Sequence, residues 1–357
     1  MNKLARTILI VGGLIILLLL IVLPSVSKLL TRSVQVHLNE GLQQIKENIA
    51  RNNPFGIAAF DYEPFVCSGI ASYECKSVHI SIRAFNIDGT PKPQEIVRLE
   101  DLSLGSKNAS DKNIVRFNAS TSLIYPAEMN PFLSGNISRD TLDLLNKISL
   151  VLLPSELNCN QSYSRDGQDS KTIRTQSHCK FDARLANLTI DLGSTLRPDT
   201  DKAHILGILY DIVMAANGND DQVKLSPQNI PHKLDSLLLT LESKTTFGAL
   251  IKNKEGLEID LDDKQGEILE KRFESSLKLL QAAGDIFFSK YFGKEGKELS
   301  RGIIGVAKGS LKSITVEFKP KNPDKLYSLQ GLYGKAAVDW LAYLASHYDL
   351  SITKEEL

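Results

Sequence analysis

The 357-residue chain predicts an α+β protein, with an N-terminal transmembrane helix followed by a large curved antiparallel sheet packed with several helices. Three observations predict it. Residues 8–23, ILIVGGLIILLLLIVL, form an unbroken apolar run; segments such as 78–82 and 313–318 alternate apolar and polar residues with the period of a strand; and 267–292 carries Ile268, Phe273, Leu277, Leu280 and Phe287 at spacings that fit one broad helical face. Composition sets outer bounds. With 42% hydrophobic and 24% charged residues, a wholly disordered or fibrous chain is excluded. Lys plus Arg and Asp plus Glu both number 42, and so even a balance argues against nucleic-acid binding, which needs a cationic surplus on one face. The zero is a sum of unlike regions. Residues 1–32 hold Lys3, Arg6, Lys28 and Arg32 and no acid, leaving 38 basic against 42 acidic residues in the body.

The run 8–23 spans about 24 Å as a helix, slightly short of the roughly 30 Å hydrocarbon core. Adding Thr7 and residues 24–26 makes a single membrane-spanning anchor feasible, and residues 1–32 are read as a basic segment with a signal-anchor. The alternative is a cleaved signal peptide and a soluble periplasmic product, since Ser25-Val26-Ser27 offers small residues to a peptidase. Lys and Arg lie on both flanks, so charge does not orient the span. The four cysteines do. Cys67 with Cys75 and Cys159 with Cys179 are two local pairs, and four cysteines allow three connectivities of which the local one is simplest. Closing such loops is worth about 2.6 and about 3.3 kcal/mol in the chain-entropy account. Zinc would want C-x2-C spacing or grouped histidines, and only His178 adjoins Cys179. Disulfides place the body outside the cytoplasm.

Beyond the anchor, Val34, Leu38, Leu42, Ile45 and Ile49 make a helical stripe, read as an amphipathic, membrane-proximal helix over 33–53 that ends at Asn52-Asn53-Pro54. A β-rich region follows over 54–197 and contains both cysteine hairpins. An α+β region occupies 198–357. It comprises a helix from Pro198, stopped at Asn217-Gly218; strand character over 233–259; the long helix 267–292; a shorter one over 299–307 ended by Gly309; a strand over 312–319; and an aromatic helix over 333–348 around Trp340. The last residues, TKEEL, read as a polar tail.

Four segments share one template. Leu99-Glu100-Asp101-Leu102-Ser103-Leu104, Leu185-Ala186-Asn187-Leu188-Thr189-Ile190, Leu234-Asp235-Ser236-Leu237-Leu238-Leu239 and Leu311-Lys312-Ser313-Ile314-Thr315-Val316 each run Leu, any, small polar, aliphatic, any, aliphatic. Aliphatics two apart share a sheet face, so the Leu three residues earlier reaches that face only through a bulge or turn at the polar position. The first two copies extend as RLEDLSLGS and RLANLTIDLGS, and so 60–135 and 150–197 read as a duplicated module.

Catalytic constellations are missing. There is no G-x-S-x-G, H-E-x-x-H or phosphate loop, and Gly302 and Gly305 have the spacing of close helix packing. Ser275-Ser276-Leu277-Lys278 lacks the companions of a nucleophilic S-x-x-K. Asp260-Leu261-Asp262-Asp263 and Asn219-Asp220-Asp221 lack calcium-loop spacing. The six histidines are scattered singly. No catalytic residue, cofactor site or metal site is expected. Five N-x-[ST] sequons, at Asn108, Asn118, Asn136, Asn160 and Asn187, and the terminal Lys354-Glu355-Glu356-Leu357 keep a luminal eukaryotic setting open.

A short basic N-terminus, one spanning helix and an extracytoplasmic body of L-x-[DNS]-[LI]-x-[LIV] strands resembles the bacterial AsmA-like, inner-membrane-anchored periplasmic envelope proteins. The resemblance is one of layout and carries over no functional residue. It implies a single-pass inner-membrane protein with its body in the periplasm. The expected function is that of a non-enzymatic envelope protein whose sheet offers an apolar groove to lipid, such as phospholipid, or to a partner, with Leu102, Leu104, Leu188, Ile190, Leu237, Leu239, Ile314 and Val316 on one face. That face would be ordinary core if the helix 267–292 covers it. The alternative is a scaffold or assembly component that binds other envelope proteins through its surface and the Cys159–Cys179 loop.

Overall fold

A computed structural model of the chain describes residues 30–52, 57–69, 72–84, 94–107, 113–125, 153–166, 169, 171–200, 205, 208–209, 230–249, 263–327 and 337–357. The expected anchor at 8–23 lies outside them, as does most of the helix expected after Pro198. No helix of the described residues is long and apolar enough to cross a membrane. The architecture is α+β. Eleven strands form an antiparallel sheet in the order β1-β3-β4-β5-β6-β7-β8-β9-β10-β11, with β2 paired to β3 beside that path. The strands are β1 Ile57–Tyr62, β2 Val66–Ser68, β3 Tyr73–Ala84, β4 Gln94–Lys107, β5 Ile114–Ile124, β6 Pro154–Arg165, β7 Ile173–Ala183, β8 Ala186–Leu196, β9 His232–Ser243, β10 Leu311–Pro320 and β11 Tyr348–Glu356; the helices are α1 Leu30–Asn52, α2 Asp263–Lys308 and α3 Ala337–His347. The chain divides into two compact units, one holding α1 and β1 to β6, the other β8 to β11 with α2 and α3, while β7 contributes to both.

In the first unit the stripe read from sequence is the buried face of α1. Val34, Leu38, Leu42 and Ile49 are buried and Ile45 half-buried. Each fully buried aliphatic is worth about 1.5–3 kcal/mol, so this face and not helix propensity holds α1 in place. Side-chain amides on α1 then take the place of a neighbouring strand: Asn39 donates to the Phe65 carbonyl at 3.1 Å and accepts from the Phe65 N–H at 2.7 Å, while Gln35 accepts from the Cys67 N–H at 3.1 Å. The short segment around β2 is thereby satisfied without a full ladder.

The template's bulge appears in β4. Opposite β5, the register shifts between Glu100 and Ser103, and Asp101 has φ 50°. The extra residue brings Leu99, Leu102 and Leu104 to the same buried face, all at 1% exposure or less. The Thr121 hydroxyl donates to the Glu100 carbonyl at 2.9 Å, a partner for a group beside the interrupted ladder. In the fourth copy the register of β10 against β11 shifts between Leu311 and Ser313. There Ile314 and Val316 are buried and Leu311 packs against them.

In the second unit α2 is two helices joined at Gly293, whose φ 59° and ψ −124° lie outside helical space. The second arm folds back along the first. Ser300 Oγ donates to the Gln281 carbonyl at 3.1 Å, the Arg301 guanidinium lies 3.7 Å from the Asp285 carboxylate, and a side chain at Gly296 would stand 2.3 Å from the Phe288 carbonyl oxygen. This arm covers the apolar face of β9 to β11: Leu299 and Val306 form one core with Ile314, Val316, Phe318 and Tyr348, lined by Leu237, Leu239, Leu241, Phe288, Phe292, Leu350 and Ile352. Gly302 lies over Ile314 and Gly305 over Leu311 so closely that a Cβ would displace the ends of those side chains, which is the close-packing use their spacing predicts.

Two expectations are corrected. Strand character does not run unbroken from 233: β9 ends at Ser243 and residues 247–249 are helical, with Phe247 stacked on Phe273 of α2, 4.0 Å between ring centroids, and the expected stretch over 250–259 lies outside the described residues. The TKEEL tail belongs largely to β11, where Thr353, Lys354, Glu355 and Glu356 pair with β10.

A Gly296→Ala substitution is expected to cost about 1–3 kcal/mol, since its methyl meets backbone that cannot turn aside. Gly293→Ala should cost a similar amount, about 1–3 kcal/mol, through backbone strain alone, as open space surrounds that position. Urea unfolding of the full chain measures both, and unchanged midpoints would contradict the reversal of α2.

Candidate functional site

The eight residues of the expected apolar face do not share one environment. Leu102 and Leu104 are sealed in the first unit, and Ile314 and Val316 beneath α2 in the second. Leu188, Ile190, Leu237 and Leu239 are only half-buried. The difference follows from where the cover stops. Leu237 and Leu239 lie at the border of the α2 core, which Leu188 and Ile190 do not join.

Two contacts fix how β8 meets β9. The Leu185 carbonyl accepts from the Lys244 N–H at 2.9 Å, and the position of a Cβ on Gly193 lies 2.8 Å from Ser236 Oγ. Both fit one antiparallel register, which sets Leu188, Ile190 and Leu192 across from Leu241, Leu239 and Leu237. These six side chains form an apolar shelf. All eleven residues of β8 are half-buried, so neither of its faces is sealed, whereas in β10 Ile314, Val316 and Phe318 alternate cleanly with partly open neighbours. Leu192 and Leu241 were not singled out in the sequence because the template stops one residue pair short of them; the continuing Leu-x-Ile-x-Leu alternation of β8 is the signal that marks them.

The reverse face is polar. Thr240 and Thr315 hydroxyls meet at 3.2 Å, Thr195 donates to the Asp235 carboxylate at 2.6 Å, and His178 Nδ1 lies 2.5 Å from Asp191. On this reverse face Leu238 stands among the polar side chains. Among the described residues, no group of three or more His, Cys, Asp or Glu side chains is gathered as a metal site.

The cysteines are paired as the local connectivity expects: both Cys67–Cys75 and Cys159–Cys179 are disulfides. Cys67 and Cys75 are direct cross-strand partners in β2 and β3. No protein-family model matches this chain, and no curated protein sequence matches it. The bonds themselves therefore carry the argument about compartment, and they point to an oxidising, extracytoplasmic location.

Two further concavities are charged. One, of about 470 Å³, surrounds the β4 bulge and is lined by Asp61, His79, Arg83, Arg98, Glu100 and Asp101 among others. Several of its charges are paired, Arg98 with Glu95 and Glu100 and Arg83 with Asp61, and His79 Nδ1 lies 3.3 Å from the Glu63 carboxylate. The other, of about 510 Å³, lies between the second arm of α2 and β11, with Glu298 and Lys354 on its walls. Lys354 donates to Glu298, and Lys312 to Glu355 at 2.7 Å. These hydrogen bonds, and then the lysine charges, hold both carboxyls below their ordinary range.

A carboxylate so depressed contributes stability that is complete at neutral pH and lost as pH falls through its folded value. Amides of β11 are therefore expected to lose hydrogen-exchange protection below about pH 4, ahead of those in β10; equal loss in both strands would contradict these clamps. For the disulfides, the unreduced chain should expose no thiol to alkylation even in denaturant. The pair of substitutions Cys67→Ala and Cys75→Ala should cost about 2–4 kcal/mol in urea unfolding, and an unshifted midpoint would count against the bond.

Proposed function

We propose that this chain is a membrane-tethered periplasmic protein without enzymatic activity, anchored by residues 8–23, that holds a phospholipid acyl chain on the shelf of Leu188, Ile190, Leu192, Leu237, Leu239 and Leu241. The observation that supports it is the partial exposure of β8 and β9 beside β10, whose equivalent residues Ile314, Val316 and Phe318 are sealed. Apolar side chains ordinarily finish their burial when a cover is within reach; here the second arm of α2 covers β9 to β11 and leaves the shelf unfinished. A bound hydrocarbon would complete that burial at about 25 cal/mol per Å² removed from water. The paired cysteines agree with the periplasm, and the AsmA-like layout agrees with a tether on the inner membrane.

Native mass spectrometry of the full chain extracted in mild detergent tests the reading. The expected result is one retained phospholipid per chain, lost when Ile190→Gln and Leu239→Gln are introduced together, with the thermal midpoint showing the variant folded. Both positions are half-buried, so a polar amide there can still reach water. Retention that is equal in the variant would mean lipid gathered around the anchor, and absence of lipid from the native chain would equally overturn an acyl-chain site.

A further inference from the structure

The first arm of α2 carries two apolar faces, and among the described residues only one is packed. Phe273, Leu277, Gly284 and Phe288 face inward, with Phe273 stacked on Phe247 and Gly284 against Ser300. Across the helix, Leu279, Leu280, Ala283, Ile286 and Phe287 are exposed. Leu279 and Ile286 keep 73% and 75% of their surface open to water, values at which a large aliphatic has no partner. At about 100° per residue these five positions fall within about 120° of arc, the width of a complete amphipathic stripe.

The charges in line with this stripe are cationic. Arg272 lies at one end of it and Lys290 at the other, both exposed and both in line with its centre, while Lys271 and Lys278 stand further round the helix, Lys271 paired with Glu267 at 2.7 Å. The acids Glu267, Glu270, Glu274 and Asp285 all fall on the far side of the helix. Two of them are turned to partners there, Asp285 toward Arg301 and Glu270 against Gly248. An apolar stripe with cations at its ends and no acid within it is the pattern of a helix lying in the interface of a bilayer that bears anionic headgroups.

A second copy of the chain fits the stripe less well. Antiparallel pairing centred on the stripe sets Arg272 against Lys290 of the other copy, and parallel pairing sets each cation against itself. Either arrangement brings like charges together at both ends. An anionic lipid surface meets the same cations with opposite charge.

We propose that the exposed face of the first arm of α2 docks into the headgroup region of an anionic phospholipid bilayer. This rests on the tether proposed above, since one short helix face is a weak membrane signal that becomes effective when a second signal holds the chain nearby.

The test uses the full chain carrying Ile286→Cys labelled with an environment-sensitive fluorophore, reconstituted into vesicles of phosphatidylcholine alone or mixed with phosphatidylglycerol. The native cysteines are all paired and leave the new thiol as the labelling site. The expected result is a blue shift and quenching by a lipid-borne spin label in the phosphatidylglycerol vesicles, diminished by salt and absent in phosphatidylcholine alone. Introducing Arg272→Glu and Lys290→Glu together should abolish it, and Leu279→Cys provides a second labelling position should Ile286→Cys disturb folding. Flotation of the chain with the vesicles reads the tether separately. If the chain floats and the label stays in water, the docking proposal fails and the tether stands. If it floats with neither vesicle, the tether and the docking both fail, whereas flotation with the phosphatidylglycerol vesicles alone, accompanied by the shift, overturns the tether and supports docking. A shift that follows protein density instead of phosphatidylglycerol, with crosslinking between labels at 286, would assign the face to a second copy.

Discussion

Everything in this molecule depends on the period of the β-strand. Each strand sends alternate side chains to opposite faces, so an antiparallel sheet built from Leu-rich strands commits one face to burial and requires something to lie over it. Within the first unit α1 lies on β1 and β2, its apolar stripe buried and its Asn39 and Gln35 amides satisfying backbone groups around β2. Within the second the cover is the returning arm of α2, brought close by glycines at 302 and 305. The two covers solve the same problem by different means, one through side-chain amides that imitate a strand edge, the other through the removal of side chains altogether.

The period also explains what was legible in the sequence. A Leu placed three residues before an alternating pair cannot share its face without an extra residue. Leu99, Asp101 and Leu102 therefore announced a bulge that the structure places at Asp101, and Leu311 and Ser313 announced a second. The stripe of α1 was equally clear because nothing in a regular helix competes with the 3.6-residue spacing. Other features left no periodic trace. The pairing of Thr353 to Glu356 with β10 is set by backbone hydrogen bonds and by lysine–glutamate clamps, and edge strands are commonly charged, so their sequence resembles a tail. The reversal of α2 hangs on Gly293, one glycine among several in a helical stretch, and shows itself only when Ser300 is found beside Gln281.

The candidate shelf was half legible for a related reason. Alternation identifies which residues face the same way, and it put Leu188, Ile190, Leu237 and Leu239 with Ile314 and Val316. It does not say where the helix above them stops. That boundary is decided by where the second arm of α2 begins and ends, between Gly293 and Gly309, both of which have positive φ. An arm of that length can lie over only a few strands, since neighbouring strands are about 4.8 Å apart and a helix is about 10 Å across. The core it seals is drawn from β9, β10 and β11, and β8 falls at its margin.

The same geometry accounts for the second apolar face on α2. A helix that packs on a sheet with one arm and on itself with the other has spent its inward surfaces, and any further apolar residues must point to water. Water-facing positions of a helix are free to be polar at almost no cost in stability, so five apolar residues at Leu279, Leu280, Ala283, Ile286 and Phe287 are not explained by the fold. Their cost is the ordinary cost of exposed hydrocarbon, and none of the described residues relieves it. The charge pattern narrows what surface would relieve it, since the acids of the arm are all on its far side and the cations stand at the ends of the stripe. A stretch so arranged reads as part of how the chain meets its surroundings and not as part of how it holds itself together.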